Sequence, residues 1–198
     1  MHLAPVSPLC SHRRAMGKFF EQLSSSHIDF IARQKIFFIA TAPESGRVNV
    51  SPKGYDSFRI LSSSRVGYLD LTGSGSETAA HLAQNGRATL MFCGFESAPL
   101  ILRIYGRGRS VQPHDADWSQ LRPLFGAPIP GERQLVLVEI ESVQNSCGFG
   151  VSFFEHTGPR NTLIDWAEKK GDDGLAHYRA EKNATSIDGL PTTLISTR

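Results

Sequence analysis

Four short segments hold residue types that could do chemistry. Thr72-Gly73-Ser74-Gly75-Ser76-Glu77-Thr78 separates an apolar run from a helical pattern. Ser74 and Glu77 have the spacing of a capping box, which puts a helix start near Gly75. The first N–H groups of a helix lack internal partners and carry partial positive charge. Glycines let an anion reach such a backbone, and Ser76 and Thr78 add hydroxyls. These are the requirements of a phosphate site. Glu77 brings a negative charge to the same end, and an ordinary capped helix is the competing reading.

Asn49-Val50-Ser51-Pro52-Lys53-Gly54 is the second segment. In an extended chain Asn49, Ser51 and Lys53 share one face, suited to an anion or the edge of a polar heterocycle. An exposed strand end would look the same. The third is Arg103, Tyr105, Arg107 and Arg109, alternating with Leu102, Ile104, Gly106 and Gly108. Three guanidiniums on one face could hold a phosphate, meet acids across a dimer interface, or simply be solvated. The fourth is Gly73-x-Gly75 with Glu96 further on, a partial dinucleotide fingerprint with Thr78 at the third glycine position. No G-x-S-x-G, P-loop or paired-carboxylate motif occurs, so no catalytic residue is assigned. The seven histidines show no metal spacing.

The elements that must position these groups are mostly strands. A helix is expected over 18–34, with Ser26 and Asp29 in a cap-like arrangement. Strands are expected at 36–42, 47–51, 58–61, 66–71, 88–95, 100–111 and 134–143. Further helices are expected at 75–84, stopped by Asn85-Gly86, at 113–125, at 161–170 and at 174–183. Six or seven strands with short joins exclude a regular βαβ repeat and weaken the dinucleotide reading. The expected fold is mainly β with peripheral helices (α+β), a small antiparallel barrel.

The 198 residues suit one domain, residues 17–198, after an extension over 1–16 expected to be disordered. Residues 1–15 hold His2, His12, Arg13, Arg14 and no acid, which weakly resembles organelle targeting. A net charge of +2 gives no reason to expect nucleic-acid binding, and no apolar run is long enough to span a bilayer. Three scattered cysteines without C-x-x-C fit a reducing, cytoplasmic compartment.

Three segments together carry a family resemblance: Phe38-Ile39-Ala40-Thr41-Ala42-Pro43, Val48 to Gly54, and Tyr68-Leu69-Asp70-Leu71-Thr72-Gly73-Ser74-Gly75. They resemble the pyridoxamine 5′-phosphate oxidase-related, FMN-binding split-barrel family, in a branch distinct from the authentic vitamin B6 enzyme. Arg87 to Phe95, Leu102 to Gly108 and Ser186 to Pro191 extend the likeness over roughly residues 17–191. The resemblance implies a six-stranded antiparallel split β-barrel, a homodimer, and FMN at the subunit interface. It implies flavin contacts from Asn49, Val50, Ser51, Pro52 and Lys53, and a phosphate segment of Thr72, Gly73, Ser74, Gly75, Ser76 and Thr78. Many members carry a basic pair where this chain has Ser76-Glu77, so Lys53 or Arg59 is expected to supply the missing charge. The implied function is an FMN-dependent oxidoreductase of unknown substrate. A non-catalytic flavin-binding or flavin-storing protein is the alternative, as is a barrel adapted to haem or deazaflavin. A haem version would need a histidine near the cleft, and the candidate is His81, in the middle of the helix expected at 75–84.

Overall fold

The computed structural model describes residues 17–96 and 99–195, so the N-terminal extension and Cys10 lie outside the described residues. Eight strands form one antiparallel sheet: β1 (Lys18–Phe20), β2 (Phe37–Thr41), β3 (Asn49–Lys53), β4 (Phe58–Ser62), β5 (Arg65–Leu71), β6 (Arg87–Cys93), β7 (Leu100–Val111) and β8 (Glu132–Cys147). The order is β3-β2-β6-β7-β8-β5-β4, with β1 added on β8. Eight strands replace the six expected. The edge strands β3 and β4 are nevertheless consecutive in sequence, joined only by Gly54–Ser57. A sheet whose two edges are tied by four residues has to curl until those edges meet at one end. It is a barrel left open along one seam, and the seam runs between β3 and β4.

The alternation of the strands gives the barrel its filling. Phe37, Ile39, Val66, Tyr68, Leu90, Phe92, Leu102, Ile104, Val136 and Val138 are buried in a single cluster. Phe37 and Phe92 stack at 5.6 Å between ring centres, and Phe58 meets Phe92 edge-on at 5.0 Å. Strand β7 approaches β8 so closely at Gly106 that a Cβ there would stand 2.0 Å from the Glu139 carbonyl oxygen. The register slips by one at this point, between Tyr105 and Gly106, which bends the long strands as curling requires.

Four helices surround the barrel: α1 (Ser25–Arg33), α2 (Glu77–Asn85), the single turn α3 (Trp118–Leu121) and α4 (Thr162–Lys182). Helix α1 is shorter than expected, because Lys18–Phe20 pairs with Val143–Asn145 instead of coiling. Its cap is Ser24, whose hydroxyl accepts the His27 N–H while the His27 ring accepts the Ser24 N–H. The helix expected over 113–125 shrinks to α3 and a 3-10 turn at Arg122–Phe125, where Pro123 cannot donate to an α-helical ladder. Helix α4 is broken at Gly171, with φ 64° and ψ 174°, near the gap expected between two terminal helices. Gly86 ends α2 in the left-handed region, as the Asn85-Gly86 stop predicts. Among the described residues no helix is long and apolar enough to cross a membrane.

Candidate functional site

A cleft of about 280 Å³ opens beside the seam, between the end of β3 and the segment joining β5 to α2. Asp70 is its keystone. Alternation along β5 turns this carboxylate inward, where it is 1% exposed. Such a charge is tolerated only with partners. Lys53 Nζ donates to Oδ1 at 2.7 Å. Arg133 Nε and Gln134 Nε2 donate to Oδ2 at 2.8 and 2.9 Å. Burial by itself would raise the Asp70 pKa. Arg133 and Lys53 outweigh it and hold the carboxyl well below the usual carboxylate range. Tyr68, behind it, is pushed well above the ordinary phenol value, first by burial and then by the Asp70 charge.

Arg133 does a second job. Its guanidinium donates to the Gly75 carbonyl at 2.8 Å, the Gly73 carbonyl at 3.4 Å and the Asn183 side chain at 3.1 Å. Asn183 Nδ2 in turn donates to the Gly73 and Ser74 carbonyls. The loop's acceptor oxygens are thus occupied from behind, which weakens their repulsion of an anion. Arg179 donates to the Thr72 hydroxyl at 3.1 Å, and burial followed by the Arg133 charge lowers its pKa.

The β3 face expected from spacing is present. Asn49, Ser51 and Lys53 point to one side, and Ser51 and Lys53 line the cleft. Asn49 stands behind it, accepting from Ser51 and donating to the Thr78 hydroxyl at 3.2 Å. Thr78 accepts there and also lines the cleft. Pro52, Gly73 and Gly75 also line the cleft. Val50 faces away and is 59% exposed. Thr72 is fully buried and bound to Arg179, and the Ser76 hydroxyl is turned onto the Thr185 carbonyl.

Two local expectations are corrected. Helix α2 begins at Glu77 with Ser76 as its cap, not near Gly75, and no side-chain cap bond forms. Instead, Glu77 accepts the Ser76 N–H at 3.0 Å and the Ile187 N–H at 3.3 Å. The chain's own carboxylate therefore sits where an incoming anion was expected. Arg59 lies on the other side of the Gly54–Ser57 turn. It donates to the Asp56 and Phe58 carbonyls and to the Asp56 carboxylate, and does not reach the cleft. Of the two cations expected at the site, Lys53 is the one brought there.

The guanidinium face of β7 forms, but its charges are spent locally. Arg107 pairs with Glu141, Arg109 with Asp117, and Arg103 bonds Ser146. His81 is fully buried on the Thr41 hydroxyl, away from the cleft lining, and burial lowers its pKa. Among the described residues no cluster of three His, Cys, Asp or Glu side chains is placed to hold a metal ion. Asp70 and Arg133 were missed as site residues, although an acid inside the apolar run Tyr68 to Leu71 is a readable signal. Tyr55, Ile129 and Leu163, which complete the lining, leave no comparable mark in the sequence.

Comparison with known proteins settles the ancestry. Residues 24–147 match the pyridoxamine 5′-phosphate oxidase family. A pyridoxamine 5′-phosphate oxidase family protein of Aspergillus flavus, ustO, is 40% identical over 193 aligned positions, covering 89% of this chain and 78% of that protein. The chain belongs to the pyridoxamine 5′-phosphate oxidase family. Among solved structures, HupZ of Group A Streptococcus superposes with a TM-score of 0.51 at 20% identity, over 61% of this chain and 91% of HupZ. A single-residue variant of HupZ gives 0.52 at 20% identity, over 62% of this chain and 98% of its own. At this identity the HupZ likeness speaks for the fold alone. The family match spans the cleft residues from Ser51 to Arg133 and stops short of Leu163.

Proposed function

We propose that the cleft binds FMN and that the protein is an FMN-dependent oxidoreductase acting as a homodimer. The observation that carries this reading is Lys53. Its ammonium lines the cleft, fixed by a buried carboxylate, with N–H donors left over for an anion. The Thr78 hydroxyl lies on the same wall, and Gly73 leaves the backbone open, with nothing within 4 Å of a Cβ position. Leu69, Leu71, Ile129 and Leu163 supply an apolar surface for a planar ring. Bound FMN would supply hydride acceptance and donation. The protein's own part is to anchor the phosphate, hydrogen-bond the ring edge and exclude water. No side chain is assigned a proton-transfer role.

The size of the cleft supports a shared site. About 280 Å³ falls at the low end for a cofactor pocket. A second copy would enlarge it. Two cross-strand rows of half-exposed side chains flank it on the barrel's outside: Val50, Ala40, Thr89 and Tyr105, then Pro52, Phe38, Met91 and Arg103. Strand β3 is an unpaired edge with Val48 and Val50 exposed, a surface that proteins usually cover.

Titration of the purified protein with FMN, read by quenching of flavin fluorescence, tests the reading. Saturable binding at one FMN per chain is expected, with a dimer in sedimentation. A protein that leaves flavin fluorescence untouched would overturn it. Reduction of the bound flavin by a nicotinamide cofactor, followed by reoxidation faster than that of free FMN, separates an oxidoreductase from a flavin carrier.

A further inference from the structure

The turn that ties the barrel's two edges together is strained, and its strained residue faces the cleft. Ser57 N–H donates to the Gly54 carbonyl at 3.2 Å, closing a two-residue turn over Tyr55 and Asp56. Both have positive φ, 59° and 51°, and they are the two described non-glycine residues that do. This is the φ signature of a type I′ turn, for which Asn and Gly are favoured and a bulky aromatic is a poor choice. The surrounding structure holds the conformation. Arg59 grips the Asp56 carbonyl and carboxylate, and Leu69 N–H donates to the Ser57 carbonyl at 3.0 Å. Strain maintained in this way is characteristic of functional positions.

Tyr55 belongs to neither hydrophobic cluster of the barrel. Tyr55 is half-buried and lines the cleft, and its hydroxyl makes no hydrogen bond to any described residue. It adjoins Gly54, one residue beyond the Lys53 anchor. From this geometry we infer that Tyr55 is the specificity residue of the cleft, packing its ring on a planar conjugated ring and offering its phenol to that ring's polar edge. The inference rests on the flavin reading. The planar ring belongs either to the flavin or to the compound that exchanges electrons with it, and both present the same chemistry to Tyr55.

Tyr55→Asn and Tyr55→Phe test it. Asparagine suits the left-handed backbone, so the melting temperature of ligand-free Tyr55→Asn should hold steady or rise by about 2–4 °C. A fall would make Tyr55 a structural residue and overturn the inference. Two titrations then follow, FMN into ligand-free protein and the planar quinone menadione into FMN-loaded protein, the latter read as a change in the flavin absorption bands. Affinity about tenfold weaker for Tyr55→Asn, largely restored in Tyr55→Phe, is expected in one arm. Loss in the first arm assigns the ring to the flavin, and loss in the second alone assigns it to the reacting partner. Unchanged affinity in both arms, with FMN still bound, overturns the role of Tyr55 and leaves the flavin reading standing. Failure of the unaltered protein to bind FMN overturns both.

Discussion

The chain carries two clusters of cations on strands, and they behave oppositely. On β7, Arg107 and Arg109 each find an acid in water, and all four partners are about half exposed. At the seam, Lys53 and Arg133 converge on one carboxylate withdrawn from solvent. Exposed pairs are screened and replaceable, worth roughly 0–1 kcal/mol each. A buried charge has no water to fall back on, so each partner becomes obligatory. Counting cations in the sequence singles out β7. Counting the cost of leaving each one unpaired singles out Asp70, and with it the cleft.

The contrast can be broken most forcefully at its centre. Asp70→Asn removes the charge that Lys53 and Arg133 share, and should lower unfolding free energy by about 3–5 kcal/mol in denaturant titration. A loss near zero would mean that the two cations are satisfied elsewhere. The same carboxyl sets the acid limit. Its folded pKa is depressed, so its contribution is complete above the unfolded value of about 3.8. That contribution is lost as pH falls from there towards the folded pKa. Melting curves of the unaltered protein should therefore steepen in their pH dependence below about 4, and those of Asp70→Asn should lack that component.

Lys53→Met comes next. It keeps the stem that packs in the cleft and removes the ammonium, and FMN affinity should drop about tenfold or more. Glu77→Gln should act in the other direction. The Ser76 and Ile187 N–H groups use different carboxylate oxygens, so glutamine keeps one of the two bonds while the negative charge leaves the helix start. FMN binding should tighten about two- to fivefold, most visibly at low salt. Weaker binding would show that Glu77 serves the ligand rather than opposing it. The smallest effect belongs to the other cluster: Arg107→Ala and Arg109→Ala should each shift stability by under about 1 kcal/mol and leave flavin affinity unchanged.

What the sequence disclosed follows from the range of the interactions involved. Strands β2, β5, β6, β7 and β8 announce themselves by alternation and composition, properties of neighbouring residues. Strand β1 does not, because Phe19 and Phe20 become a strand only by pairing with Gln144 and Val143, far along the chain. The helix expected at 113–125 fails for a local reason, Pro123, that the apolar pattern of Trp118, Leu121 and Phe125 masks. The face of Asn49, Ser51 and Lys53 was legible because strand geometry fixes it. Its meeting with Asp70, Arg133 and Asn183 was not, since separations of 17, 63 and 50 residues divide these partners and no spacing rule spans them.

One such separation matters during synthesis. The Gly73 carbonyl waits for an asparagine 110 residues downstream, and the Ser76 hydroxyl for a carbonyl 109 residues downstream. At 5–20 residues per second, a ribosome needs about 6–22 s to travel from the loop to its clasp. Strand β8 ends at Cys147, so the last part of that interval separates a complete sheet from its clasp, and the loop beside Asp70 stays open until then. The strands of the barrel are thus synthesised before the clasp that finishes the loop, and on the proposed reading cofactor capture would be a late event of maturation rather than its trigger.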